Sequence, residues 1–140
     1  RNIIMEKAAV IYWSGSGNTE AMANEICDGI KAGGMDCELY NVSDFKGNIA
    51  DYSKIALGCP AMGDEVLEES EFEPFYSSIN IAGKKIAIFG SYGWGDGQWM
   101  RSWAEDASSR GAALFDEGLM VNGAPSGSEC KDYGERFAKF

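Results

Sequence analysis

The stretch "YWSGSGNTEAMA", Tyr12–Ala23, follows an apolar run, Ala8-Ala9-Val10-Ile11, and leads into helical spacing. Between them lie two glycines, two serines, an asparagine and a threonine, and no positive charge. A strand feeding a glycine loop that feeds a helix is the physical layout of an anion site. The first N–H groups of the helix lack intrahelical acceptors, and the positive end of the helix dipole points the same way. Two familiar phosphate motifs are absent. The P-loop requires a lysine that this loop lacks, and the dinucleotide fingerprint fails because Gly15-Ser16-Gly17 is followed by Asn18-Thr19-Glu20. The plain alternative is a helix N-cap rich in hydroxyls. One cap needs one such residue, whereas Ser14, Ser16, Asn18 and Thr19 crowd together here. A phosphate held by neutral donors is the expectation.

The rest of the chain alternates in the same manner. Strands are expected over Lys7–Tyr12, Asp36–Val42, Lys54–Cys59, Lys84–Ser91 and, as one bulged strand, within Ala112–Val121. Helices are expected over Asn18–Ala32, Phe72–Ile79, Gly97–Arg110 and Glu129–Lys139. Short apolar strands alternating with amphipathic helices argue for a parallel sheet with helices on both faces. In such sheets ligands bind outside the carboxyl ends of the strands, where strand order reverses. Those ends read YWSGSGNT, GCPAMGDE, FGSYGWGDG and LMVNGAP.

The second and third of these loops carry Met62, Tyr92 and Trp94 among glycines. Either Met62 and Trp94 fold back onto the core, or a flat group lies between them, with methionine sulfur on one side and an indole face on the other. The phosphate loop beside them favours the flat group. Gly63 can turn its peptide at little steric cost, so its carbonyl is expected to accept a bond in one redox state of such a group and to turn away in another.

The totals narrow the classes. A chain of 140 residues, 45% apolar, suits one domain with one core. Arg1–Ile4 read as a remnant of expression preceding a native start at Met5, which gives a single domain over 5–140. No apolar run reaches the roughly 18 residues of a membrane span. The net charge of −10 disfavours nucleic acid and anionic membranes, and suits basic patches on other proteins. There is no histidine, so the commonest general base and metal ligand is missing. Cys27, Cys37, Cys59 and Cys130 form no C-x-x-C pair and read as reduced core thiols of a cytoplasmic protein.

Three motifs then carry a family resemblance: YWSGSGNTEAMANEI near the start, LGCPAMGDEVLEESEFEPF in the middle and FGSYGWGDGQWM after the third buried strand, with the ending ECKDYGERFAKF in agreement. The chain resembles the short-chain flavodoxins of anaerobic bacteria. The resemblance implies a flavodoxin-like doubly wound five-stranded parallel sheet, order 2-1-3-4-5, with FMN at the switch point. It implies that Ser14, Ser16, Asn18 and Thr19, with the amides from Gly15 through Gly17 to Thr19, hold the FMN phosphate. Met62 would cover the inner face of the isoalloxazine, Trp94 the outer face, and Glu65 would accept from the flavin N3–H. Backbone at Ala61, Met62, Gly63 and Asp64, and at Gly93 and Gly95, would meet the ring and ribityl chain. Ser91 and Tyr92 would line the same wall, with Asn122 at the last strand end. Pro60 departs from the pattern, because some members place a phosphate-binding serine there. Trp13, Trp99 and Trp103 read as packing residues, and Glu68, Glu69 and Glu71 as a solvated acidic patch.

The function implied is a low-potential, non-covalent FMN carrier of single electrons. It would shuttle between semiquinone and hydroquinone as a monomer that serves larger redox enzymes with basic docking patches through transient contacts. It would not be an enzyme in its own right. The rivals on the same residues are a nicotinamide-dependent flavin or quinone reductase, a signalling receiver domain and a flavin-free interaction domain. The first needs a nicotinamide site where Trp94 is expected. The second needs an acidic pair where Trp13-Ser14-Gly15 stand. Colour on purification would remove the third.

Overall fold

The structure, a computed structural model, describes residues 6–63 and 65–140. The readings of Arg1–Ile4 and of a start at Met5 lie outside the described residues, as does the site assignment of Asp64. Strand β1 (Lys7–Tyr12) is buried along nearly its whole length, as its unbroken apolar sequence requires. It pairs in parallel with β2 (Asp36–Asn41) on one side and β3 (Lys54–Gly58) on the other. Next to β3 lies β4 (Lys85–Tyr92), also parallel. The expected order 2-1-3-4-5 is borne out.

The fifth position is where the expectation needs correction. It holds two segments, β5 (Ala113–Leu114) and β6 (Leu119–Asn122), both parallel to β4, so the sheet has six strands rather than five. The interruption contains Asp116 at φ 56° and Gly118 at φ 95°, backbone conformations that cannot continue a strand. Phe115 fills the gap with its ring, which packs on Tyr133, Phe137 and Phe140. Strand β2 is one residue shorter than read. The Asn41 side chain accepts from the Ser43 amide and turns the chain into a short 3₁₀ turn, Val42–Asp44.

Period-two alternation distributes the strands' side chains to two faces. Ala8, Val10, Ala56, Ala87 and Phe89 face one core with helices α1 (Asn18–Ala32) and α4 (Glu129–Ala138). Ala9, Ile11, Ile55, Leu57, Ile86 and Ile88 face the other, with α2 (Phe72–Ser78) and α3 (Gln98–Ser109). Cys27, Cys37, Cys59 and Cys130 are buried free thiols, as read. Among the described residues, no helix is long and apolar enough to cross a membrane.

Glycines set the approach of α1 to α4. A Cβ on Gly29 would stand 2.0 Å from the carbonyl oxygen of Lys131, and one on Gly134 would stand 2.2 Å from that of Ile26. The two backbones therefore touch where their side chains are missing. The far end of α4 is held by a buried lysine. Lys54 Nζ donates to the carbonyls of Phe137 (3.1 Å) and Ala138 (2.7 Å), at a helix end whose last carbonyls have no intrahelical donor. Gly134→Ala should push the two helices apart. The expected cost is about 1–3 kcal/mol, the range for overpacking a tight core, read as a lower midpoint in urea unfolding.

Candidate functional site

Cross-strand bonds continue past the strand ends and gather the loops. The Trp13 amide donates to Gly58 O (2.9 Å), Cys59 to Phe89 O (3.0 Å), Ala61 to Ser91 O (3.1 Å) and Gly123 to Tyr92 O (3.0 Å). All four loops therefore rise from one edge of the sheet, around the reversal between β1 and β3.

The first loop is a set of donors. Ser14 Oγ accepts from the amides of Gly17 (3.1 Å) and Glu20 (3.2 Å), which shapes the entry to α1. Gly17 takes φ 101° at the helix N-cap, a left-handed conformation that glycine adopts without steric penalty. Among the described residues, the amides of Gly15, Ser16, Asn18 and Thr19 have no acceptor in the protein. Thr19 is only 1% exposed, and its hydroxyl oxygen accepts from the Ser91 amide (3.3 Å), leaving the hydroxyl proton to donate elsewhere. Ser91 is likewise buried, and its hydroxyl donates to Gly123 O (2.6 Å). Ser91 thus contributes by positioning Thr19 and the fourth loop, not by presenting a free hydroxyl. These donors fit a phosphate, an anion with several acceptor oxygens.

The second loop is a tight hairpin. Met62 and Val66 exchange backbone bonds, Met62 N to Val66 O at 3.0 Å and the reverse at 3.2 Å. Gly63 at its tip is exposed, with φ 26° and no atom within 4 Å of where a Cβ would stand. Pro60, Ala61 and Met62 are half-buried behind it. Glu65 has φ 56°, a conformation that costs an ordinary residue about 1–2 kcal/mol. Its carboxylate offsets that cost at the start of α3, where Oε1 accepts from the amides of Gly97 (3.1 Å) and Gln98 (2.9 Å). Glu65 therefore ties the second loop to the third and keeps Oε2 for a further donor. This capping role was not legible in the sequence, where Glu65 and the start of α3 lie 32 and 33 positions apart.

In the third loop Trp94 is 67% exposed and Gly93 is open, while Tyr92 leans on Trp99 with ring centroids 5.7 Å apart. A Cβ on Gly95 would stand 2.7 Å from the Glu65 carboxylate carbon, so glycine is what lets the two loops meet. Asn122 is exposed at the end of β6, in register with Tyr92. Trp99 and Trp103 are buried, as read, and Trp13 is half-buried with its indole N–H on Glu71 Oε1 (3.2 Å).

The acidic patch needs correction. Glu69 and Glu71 are exposed, but Glu68 is buried. Its carboxylate accepts from the amides of Ser70, Glu71 and Phe72 at 2.8 Å each and from the Ser70 hydroxyl, which caps α2. Burial works to raise its pKa, and the bonds from Ser70, Phe72 and Glu71 outweigh that, so the carboxyl sits below its ordinary value. Cys59 beneath it accepts from the Glu68 amide (3.3 Å), and burial pushes this thiol up to about 12, which keeps it unreactive.

The sign of the Glu68 effect follows from linkage. A depressed folded pKa gives stability above the ordinary carboxyl range, and this is lost as pH falls through the folded value. Glu68→Gln should cost about 1.5–3 kcal/mol at neutral pH, the range for hydrogen bonds to a charged group. In urea unfolding at a series of pH values, the gap between wild type and variant should close on acidification.

The flavodoxin family model matches residues 10–135. The chain is 48% identical to a flavodoxin of Clostridium beijerinckii, over 92% of this chain and 97% of that one. It is 44% identical to a flavodoxin of Megasphaera elsdenii, over 93% and 97%. The solution structure of two-electron reduced Megasphaera elsdenii flavodoxin superposes with a TM-score of 0.85 at 46% identity, covering 95% of this chain and 99% of that one.

Proposed function

The chain belongs to the flavodoxin family of FMN-binding electron-transfer proteins, and on that premise we propose that it carries single electrons at low potential between larger redox enzymes. The observation that carries the reading is the group of unpaired amides beside the Thr19 hydroxyl, where the strand ends converge. FMN supplies the one-electron chemistry when bound, and the protein binds and tunes it.

In this reading Ser16, Asn18 and Thr19, with the amides of Gly15, Ser16, Asn18 and Thr19, hold the phosphate, and Ser14 shapes their loop while its own proton remains free to donate. Pro60 brings no hydroxyl, so the phosphate relies on the first loop. Met62 and the exposed ring of Trp94 cover the two faces of the isoalloxazine, and Trp94 denies a nicotinamide the outer one. Glu65 Oε2 accepts from N3–H, while Oε1 stays on α3. The open site at Gly63 leaves its carbonyl free to turn toward N5. Backbone at Ala61, Gly93 and Gly95 lines the remaining edge, with Tyr92 and Asn122 beside it.

Low potential follows from charge and solvation. Covering both faces keeps water from an added negative charge, and the protein already carries −10. Single exposed carboxylates contribute little each, since salt screens them. Their larger effect is to steer basic partners into brief encounters. Glu69 and Glu71 serve this role, and Glu68 does not. The unpaired buried thiols support a reducing compartment, the cytoplasm, for a monomer that meets its partners transiently.

Two measurements test the site. Riboflavin, which lacks the phosphate, should bind far more weakly than FMN in a fluorescence titration. Thr19→Ala should cost about 1–3 kcal/mol of FMN affinity, the range for leaving a buried polar group without its partner. Equal affinity for the two flavins would reject the phosphate assignment. Separately, Gly63→Val should lower the fraction of flavin that holds a single electron at mid-reduction, followed by absorbance during stepwise reduction. An unchanged fraction in that variant would remove Gly63 from the mechanism.

A further inference from the structure

Tyr12 closes β1 and Glu20 lies in the first turn of α1, so the two residues bracket the donor loop. The Tyr12 hydroxyl donates to Glu20 Oε2 at 2.9 Å. Tyr12 is buried, and its ring belongs to the core that Met22, Ala23 and Ile26 of α1 share with the sheet. It pairs in register with Asn41 on one side and Gly58 on the other, so the hydroxyl is placed by the sheet and not by the loop. Burial, followed by the Glu20 bond and the charges of Glu20 and Asp44, pushes this phenol up to about 12. It therefore keeps its proton and remains a donor at neutral pH.

Glu20 has a competing place to go. Gly17 is the N-cap of α1, which makes Glu20 the third helical residue. A glutamate at that position ordinarily folds back over the helix start and accepts from the N-cap amide, as in a capping box. The helix dipole pulls it the same way. In this chain the Gly17 amide is already taken by Ser14 Oγ (3.1 Å), and the Glu20 amide goes to the same oxygen (3.2 Å). The amides left open at the helix start are those of Asn18 and Thr19, with Gly15 and Ser16 just before them. Among the described residues, the Glu20 carboxylate has the Tyr12 hydroxyl as its one hydrogen-bond partner.

On the FMN reading above, we propose that Tyr12 is a positioning residue of the phosphate site: its hydroxyl holds the Glu20 carboxylate off the start of α1 and so keeps the amides of Gly15, Ser16, Asn18 and Thr19 open for the cofactor phosphate. Without that hydroxyl, Glu20 caps its own helix and becomes an anion that the phosphate must displace. The effect is confined to ligands that carry the phosphate, because the rest of the flavin meets other loops.

The test loads FMN or riboflavin onto wild type, Tyr12→Phe, Glu20→Ala and the double variant. Dissociation constants come from the fluorescence of flavin released on dilution. Tyr12→Phe keeps the buried ring and removes only the hydroxyl. It should weaken FMN about fivefold, the worth of a carboxylate at a helix start, and leave riboflavin within about twofold of wild type. Glu20→Ala removes the competitor and should hold FMN at least as tightly as wild type. The double variant should regain FMN affinity to within about twofold of wild type, since the hydroxyl then has no carboxylate to restrain. Unchanged FMN affinity in Tyr12→Phe overturns the proposal. So does an equal loss for both flavins, which would make Tyr12 a support of the fold alone, and so does a double variant as weak as Tyr12→Phe. These three results leave the phosphate assignment standing as long as wild type prefers FMN. Wild type holding both flavins alike would overturn that assignment and the proposal together.

Discussion

Four backbone N–H groups in the loop after β1 and the first turn of α1, those of Gly15, Ser16, Asn18 and Thr19, lack an acceptor among the described residues. A folded chain rarely leaves such donors unpaired, and this one gathers them at a single point. The rest of the site follows from that concentration. Gly17 turns left-handed so that the amides can converge. Ser14 takes up the Gly17 and Glu20 amides, which would otherwise splay outward. Thr19 is anchored from behind by Ser91, which is itself anchored on Gly123. Sheet pairing through Cys59, Ala61 and Gly123 then brings the other loops to the same edge. The reversal between β1 and β3 leaves a crevice there because their connections run to opposite faces of the sheet.

Carboxylates do most of the remaining joinery. Glu65 and Glu68 lie three residues apart, and each accepts amides at a helix start, Glu65 at α3 and Glu68 at α2. Through Glu65 the hairpin that carries Met62 and Gly63 is fixed to the loop that carries Trp94. Part of the −10 charge is therefore structural. It neutralises helix dipoles inside the fold, and only the remainder faces solvent.

Much of this was legible in the sequence. The limits of β1 and α1 follow from the apolar run, the glycine loop and the Gly33-Gly34 stop. The donor-rich loop itself was legible because hydroxyls and glycines crowd where one cap would suffice. The edge strand was not, because its break depends on Asp116 taking a left-handed turn, and aspartate at that place carries no period-two signal. Glu68 was misread because "EESE" looks like solvent-facing charge, and only the start of α2 reveals which of its carboxylates turns inward. Lys54 was read as the start of a strand. Its second role at the end of α4, 83 and 84 positions away, is set by tertiary packing alone.

Under the proposed FMN reading, the absence of a lysine from the first loop has a physical reason. A lysine beside the phosphate would neutralise it and lower the local negative potential. Neutral amides and hydroxyls hold the anion by dipoles and leave its charge in place. They also require no ion pair to be desolvated, which is costly in a partly buried site. A carrier of low-potential electrons gains from both properties, because every uncompensated negative charge near the ring disfavours the added electron. The same choice adds no basic residue to this loop. In the proposed reading, phosphate binding and electron affinity both rest on the neutral donors at Tyr12–Thr19 in a chain of net charge −10.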